Sequence, residues 1–359
     1  MKRILRLSIL LLPVIFVACT NHERFFPDYT TQAVYFPIQF PIRTLVMGES
    51  RYDNSIDLEH AFNFGISIGG LYQNSTNWTV NYVIDPTLVT NVVGKSSKNE
   101  TSQLKVLPRE WYAIENEGSL TIPSGSMNGK AKVMMKDEFF TDTAGYKFRY
   151  VLPLRIVNTS APAILTGTPL EGVTNGDRLK PGDWQKLPMD YVLFAVKYIN
   201  TWHGSYFRRG QQLKDGVVDK VFHKQDLEQN PVSYLTTTGY KTATYGTMGD
   251  LTTGASLSKL TFTDDVAGIG NITISSMPGS PYTVIEGSGK YYKKNTAFAA
   301  QYGSWLLDPA TGKPEPHLTM TLNFKVSGIV PGITHQYVDT LVFRDNGLTF
   351  ESFNAERKP

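Results

Sequence analysis

Residues 317–327 alternate without a break. Leu318, Met320, Leu322, Phe324 and Val326 fall on one face, and Thr319, Thr321, Asn323, Lys325 and Ser327 on the other. Successive side chains of an extended strand point to opposite faces, so this pattern predicts a strand with one buried side. Trp78, Val80, Tyr82 and Ile84 alternate in the same way with Thr79, Asn81 and Val83, as do Phe62, Phe64, Ile66 and Ile68 with Asn63, Gly65 and Ser67. One apolar face per strand predicts antiparallel sheets with one wet side. The dipeptides Asn128-Gly129, Asn175-Gly176, Asp215-Gly216 and Asn346-Gly347 supply the positive φ angles of tight turns. The last of them predicts a hairpin joining 340–344 to 348–353. Helix is expected only as a turn near 224–229. The fold class is all-β.

The N-terminus breaks this rhythm. Lys2, Arg3 and Arg6 precede an uncharged, mostly apolar run from Leu7 to Ala18. That run is too short for a spanning helix, which needs about 20 residues, and has the form of a signal-peptide core. It ends in Phe16-Val17-Ala18-Cys19, and Cys19 is the single cysteine. A small residue before a lone Cys at this place resembles a bacterial lipobox. The resemblance makes 1–18 a signal peptide, Cys19 the lipid-attachment residue and the outer membrane the destination, with the cell surface as the expected face. Residues 19–30 then form a tether. A stretch rich in Pro and Gly at 161–189 predicts a linker between two β-domains, 31–160 and 190–355.

The first domain carries Val34-Tyr35-Phe36-Pro37, Arg51-Tyr52-Asp53-Asn54-Ser55, Leu120-Thr121-Ile122-Pro123-Ser124-Gly125-Ser126 and Tyr150-Val151-Leu152-Pro153-Leu154-Arg155-Ile156. These segments resemble the N-terminal immunoglobulin-like module of Bacteroidetes lipoproteins encoded in polysaccharide-utilisation loci. The module also precedes the catalytic domain of some endo-β-N-acetylglucosaminidases. The second domain resembles the uncharacterised β-domain that often follows it. The resemblance implies a β-sandwich, glycan as the ligand and other proteins of the locus as neighbours. Its motifs are strand and turn signatures, and no catalytic residue comes with them. Trp202-x-Gly204-x-Tyr206 resembles a lipocalin-like opening strand, so the second domain is expected to be an antiparallel β-barrel, with a sandwich as the alternative.

Composition narrows the chemistry. Lys and Arg number 35 against 32 Asp and Glu, and loss of 1–18 would leave 32 against 32. No field for nucleic acid exists, and formal neutrality favours neutral ligands weakly. The six His are scattered without paired spacing, so no metal site is expected, and no cofactor motif is present. Gly65-Ile66-Ser67-Ile68-Gly69 matches G-x-S-x-G, but it lies inside an alternating strand and lacks the strand-turn-helix context of a nucleophile. Asp264-Asp265 reads as a solvated turn.

Aromatic residues are the informative class, with 5 Trp, 19 Tyr and 19 Phe. Sugar C–H faces stack on flat rings, while β cores consume the same residues. Core filling is expected of Trp78, Trp111 and Trp202, and an interdomain seal of Trp184. Trp305 stands beside a Pro/Gly loop and is the leading sugar platform, with Tyr302, Tyr291 and Tyr292 as neighbours. Arg208 and Arg209 are weaker candidates for an acidic sugar. The expected function is non-catalytic glycan binding by an outer-membrane lipoprotein. The alternatives are a structural or adhesive protein that binds other proteins and, third, a glycoside hydrolase.

Overall fold

A computed structural model describes residues 27–246, 258–302 and 315–358. It is almost entirely β. In the N-terminal part a five-stranded sheet runs in the order Ala163–Ile164, Ala33–Tyr35, Ala61–Gly69, Asn128–Met135, Tyr112–Ile114. It faces a larger sheet ordered Thr101–Gln103, Val92–Ser96, Glu351–Arg357, Pro41–Val46, Tyr191–Ile199, Tyr150–Thr159, Trp78–Ile84, Ser119–Ile122. Phe62, Phe64 and Ile66 from the first sheet meet Val80, Leu154, Val192 and Val196 from the second in one core. The alternation of 62–68 and 78–84 therefore faces the sandwich interior. Trp78 packs at its margin, with its indole N–H donating to Asn74 Oδ1 at 2.9 Å.

The larger sheet is covered on its outer face as well. Val151, Leu193 and Ala195 pack there with Val92, Leu104, Phe148 and Phe353. This explains why Tyr191-Val192-Leu193-Phe194-Ala195-Val196 reads as a continuous apolar run, since a strand buried on both faces loses its alternation. It also shifts a boundary. Residues 190–199 were expected to open the second domain. Their strand instead pairs antiparallel with Tyr150–Thr159 and parallel with Pro41–Val46, inside the sandwich.

The second domain is a barrel and not a sandwich. Its eight strands are Gly204–Lys214, Val232–Gly239, Thr242–Tyr245, Ser258–Phe262, Ile269–Ser276, Thr283–Tyr292, Thr319–Val330 and Ile333–Asp345, and the last closes on the first from Ser205↔Asp345 to Lys214↔His335. Closure removes the open edges of a sheet. A further strand, Val217–Phe222, folds back on the second half of Gly204–Lys214 through Asp215-Gly216, both at positive φ. Leu318, Met320, Leu322, Phe324 and Val326 all point into the filled lumen. Trp202 fills the end nearest the sandwich. It stacks on Phe262 at 3.9 Å between ring centroids and meets the edge of Tyr291 at 5.2 Å.

The expected hairpin around Asn346-Gly347 does not form. Strand Ile333–Asp345 stays in the barrel, and Glu351–Arg357 crosses back to pair with Pro41–Val46 and Val92–Ser96. Asn346 is buried, and its Nδ2 donates to the Glu49 carbonyl at 3.0 Å. The turn dipeptide thus redirects the chain between domains, and the barrel is an insertion between two strands of one sheet.

The chain passes from the sandwich into the barrel at 200–203, and this crossing holds His203. Its Nδ1 accepts the Thr237 backbone N–H at 3.1 Å, which requires a neutral ring at that atom. Burial pushes its pKa down to about 4, with Lys98 and Lys197 adding to the effect. In an unfolded chain His titrates near ~6.5. The unfolded state therefore takes up a proton between these values while the native state does not. Stability is intact above the upper value and falls as the pH drops through the window, by at most about 3 kcal/mol. Chemical denaturation at pH 7 and pH 4.5 should show a smaller loss for His203→Gln than for the parent chain. Equal losses would exclude His203 as the source.

Candidate functional site

The crossings leave a cleft of about 750 Å3 between sandwich and barrel. On the sandwich side it is lined by Gly48, Glu49, Arg51, Asn54 and Leu58, and on the barrel side by Lys293, Lys294, Glu315, His317, Phe343 and Arg344. Its sandwich wall is shaped by Asn54, whose Nδ2 donates to the Val46 and Gly48 carbonyls at 2.9 Å each. Below it, buried Asp57 accepts the Val46 N–H at 3.0 Å and pairs with Arg43. Burial raises the Asp57 pKa, against these two partners. Gly48 lies against the Thr201 backbone, where a Cβ would come within 2.4 Å of the Thr201 carbonyl oxygen. Any side chain there would push the domains apart.

Glu49 spans the cleft floor. Its Oε1 accepts the Leu318 N–H at 2.6 Å and its Oε2 meets His317 Nδ1 at 2.8 Å. Three of the lining cations are also held by acids. Arg51 pairs with Asp345 at 2.9 Å, Lys294 with Glu315 at 2.9 Å, and Lys293 with Asp265. Arg344 is exposed, and its guanidinium lies over the Phe207 ring at 5.7 Å from the centroid.

An aromatic row begins at Tyr292, the residue before Lys293. Tyr292 and Phe298 stack at 4.0 Å, and Phe298 is 5.1 Å from Tyr302. Thr296 starts the short helix Ala297–Ala300, its Oγ1 accepting the Ala299 N–H at 3.3 Å, and this cap aims Phe298 at Tyr292. Tyr302 packs on a small cluster of Phe207, Leu227 and Val342. The cluster beneath Tyr302 thus contains the ring over which Arg344 lies. All three ring residues of the row are partly exposed.

The structure sorts the expected site residues. Tyr292 and Tyr302 belong to the row. Tyr291 does not, for it is 1% exposed, packs inside the barrel and donates its hydroxyl to the Thr263 carbonyl at 2.7 Å. Adjacent strand residues face opposite sides, so Tyr291 and Tyr292 cannot share a surface. Trp305 and Cys19 lie outside the described residues. Arg208 is in the lumen, paired with Asp339, and Arg209 donates to the Lys224 and Gln225 carbonyls at 3.1 and 2.9 Å. Trp184 serves its own segment, with its indole N–H donating to the Asp177 carbonyl at 2.8 Å over Gly176. Ser67 lies in mid-strand and donates to Asn128 Oδ1 at 2.6 Å. Asp264 and Asp265 pair with Lys241 and Lys293.

Phe298, Arg344, Glu49 and His317 were missed. The spacing of Phe298 and Tyr302, one helical turn apart behind Thr296, was the available signal for the row. Nothing in the sequence marks Glu49 and His317 as partners. Among the described residues no group of three or more His, Cys, Asp or Glu side chains gathers as for a metal ion. No helix among them is long and apolar enough to cross a membrane.

Residues 29–163 match a family described as a "-like, N-terminal domain", and residues 201–347 match a domain of unknown function, DUF5627. No curated protein matches the chain. A crystal structure from Bacteroides ovatus, titled as a structural-genomics protein of unknown function, is 28% identical. It covers 92% of this chain and 100% of its own, with a TM-score of 0.75. A multidomain protein including DUF1735 from the same organism is 10% identical over 91% of this chain and 95% of its own, with a TM-score of 0.38. The chain thus joins an N-terminal domain of the first kind to a C-terminal DUF5627 domain.

Proposed function

We propose that the chain is a non-catalytic, lipid-anchored outer-membrane protein that captures glycan for a polysaccharide-utilisation system. The interdomain cleft and the row Tyr292–Phe298–Tyr302 form the binding face in this reading. The observation that carries it is a cleft of about 750 Å3 lined by charged and polar side chains, with a row of partly exposed rings that begins at Tyr292, next in sequence to the lining residue Lys293. Glycan sites pair these two elements, rings for the C–H faces and placed polar groups for the hydroxyls. The signal-like N-terminus and Cys19 support the anchored location.

The test is a glycan array and affinity gel with residues 20–359. Binding to at least one polysaccharide is expected, and Tyr292→Ala and Phe298→Ala should each weaken it about five- to tenfold. Unchanged affinity in both variants would remove the row from the site. Absence of binding across plant, microbial and host glycans would sink the reading.

One feature favours a protein partner as the second reading. Strand Val217–Phe222 exposes Val217, Val218 and Val221 on a ribbon with one edge unpaired among the described residues. Capture of locus proteins that is lost in Val218→Lys, with no glycan bound, would favour it.

A further inference from the structure

We infer that the glycan held here is acidic, its carboxylate or sulfate seated on Arg344 where the cleft meets the aromatic row. The inference rests on the glycan-binding reading. It draws on the charge of the lining and not on that of the whole chain, which is nearly balanced.

Four cations line the cleft, Arg51, Lys293, Lys294 and Arg344, against two acids, Glu49 and Glu315. Glu49 cannot serve a ligand cation, because both carboxylate oxygens are committed to the Leu318 N–H and His317. Glu315 is taken by Lys294. Arg51 and Lys293 are balanced by Asp345 and Asp265. Arg344 has no acidic partner among the described residues. It is also placed, because the Phe207 ring lies beneath its guanidinium within the range of a cation–π contact. A planar guanidinium with open donors binds a carboxylate or sulfate through paired hydrogen bonds. The pyranose carrying that group would then rest toward Tyr302, which packs on the cluster that contains Phe207. Cation and ring thus share one supporting cluster, an arrangement suited to an acidic sugar.

The experiment measures binding of residues 20–359 to acidic polysaccharides, each beside its carboxyl-reduced or desulfated counterpart, and to neutral polysaccharides. Acidic forms are expected to bind at least about tenfold tighter than their neutralised counterparts, with affinity falling as salt rises. Arg344→Ala should abolish that preference, while Arg344→Lys should retain part of it. Whether uronates or sulfated polymers bind more tightly identifies the anionic group. Equal binding of acidic and neutralised forms, or an unaltered preference in Arg344→Ala, overturns the inference and leaves the glycan-binding reading standing. No binding to any polysaccharide overturns both.

Discussion

Asp339→Ala is expected to destabilise the barrel by about 3–5 kcal/mol, a large fraction of the ~5–15 kcal/mol that holds a domain folded. Asp339 lies in the lumen, with Oδ1 accepting from Arg208 Nη2 at 2.7 Å and Oδ2 from the Tyr245 hydroxyl at 3.0 Å. Arg208 is only 2% exposed, with the Phe222 ring 4.2 Å from its guanidinium. Burial raises the Asp339 pKa, opposed by the pull of Arg208 and the two hydrogen bonds. The carboxylate is therefore a costly guest made tolerable by its partners. Its removal strands a buried, charged guanidinium without its counter-ion. The double variant Arg208→Met/Asp339→Leu removes both charges and should recover most of the loss. Urea unfolding followed by circular dichroism measures both. A single variant within about 1 kcal/mol of the parent would show that water reaches the site and that the pair is not dry.

The second large effect concerns the sandwich. A chain ending at residue 350 is expected to lose the cooperative unfolding of its N-terminal domain while the barrel survives. Strand Glu351–Arg357 sits between Pro41–Val46 and Val92–Ser96. It brings Phe353 into the outer core against Phe40 and Phe148, at 5.5 and 5.1 Å between centroids. It also brings Glu351, buried beneath Lys197 and Lys98 at 2.8 and 3.0 Å. Losing the ring alone costs about 3–5 kcal/mol, and Lys197 is left buried without its nearer acid. Phe353→Ala should show the ring's share by itself. Hydrogen exchange provides the readout, with protection lost at 41–46 and 92–96 and retained at 319–330. Protection at all three sites in the shortened chain would refute the role given to this strand.

What could be read beforehand depended on distance along the chain. The strand at 317–327 was legible because its five apolar residues face a core on one side only. The barrel was foreshadowed by Trp202-x-Gly204-x-Tyr206. Strand Tyr191–Ile199 was a clear strand with an unclear owner, since continuous apolar character does not name the partner on either face. The hairpin at Asn346-Gly347 failed for a related reason. Its turn chemistry was sound, but the residues paired with Glu351–Arg357 lie far upstream and leave no local mark. The site followed the same rule. Tyr292 and Tyr302 were recognisable as aromatics near a loop, whereas Tyr291 was misplaced because strand parity, read strictly, would have separated it from Tyr292. Glu49 and His317 meet only in three dimensions.

The insertion of the barrel also sets an order in time. Ile42 faces Glu351 across the sheet, roughly 300 residues apart in sequence. On a growing chain the sandwich strands are made first and must wait, with the edges of Pro41–Val46 and Val92–Ser96 unpaired, until the barrel has been synthesised. The barrel, built from consecutive neighbours and closed on itself, can complete first. It then holds the two ends of the unfinished sheet close together, so the last strand has little distance to search. The inserted domain would thereby splint its host during folding, and a defect in barrel folding would surface as aggregation through the sandwich edges.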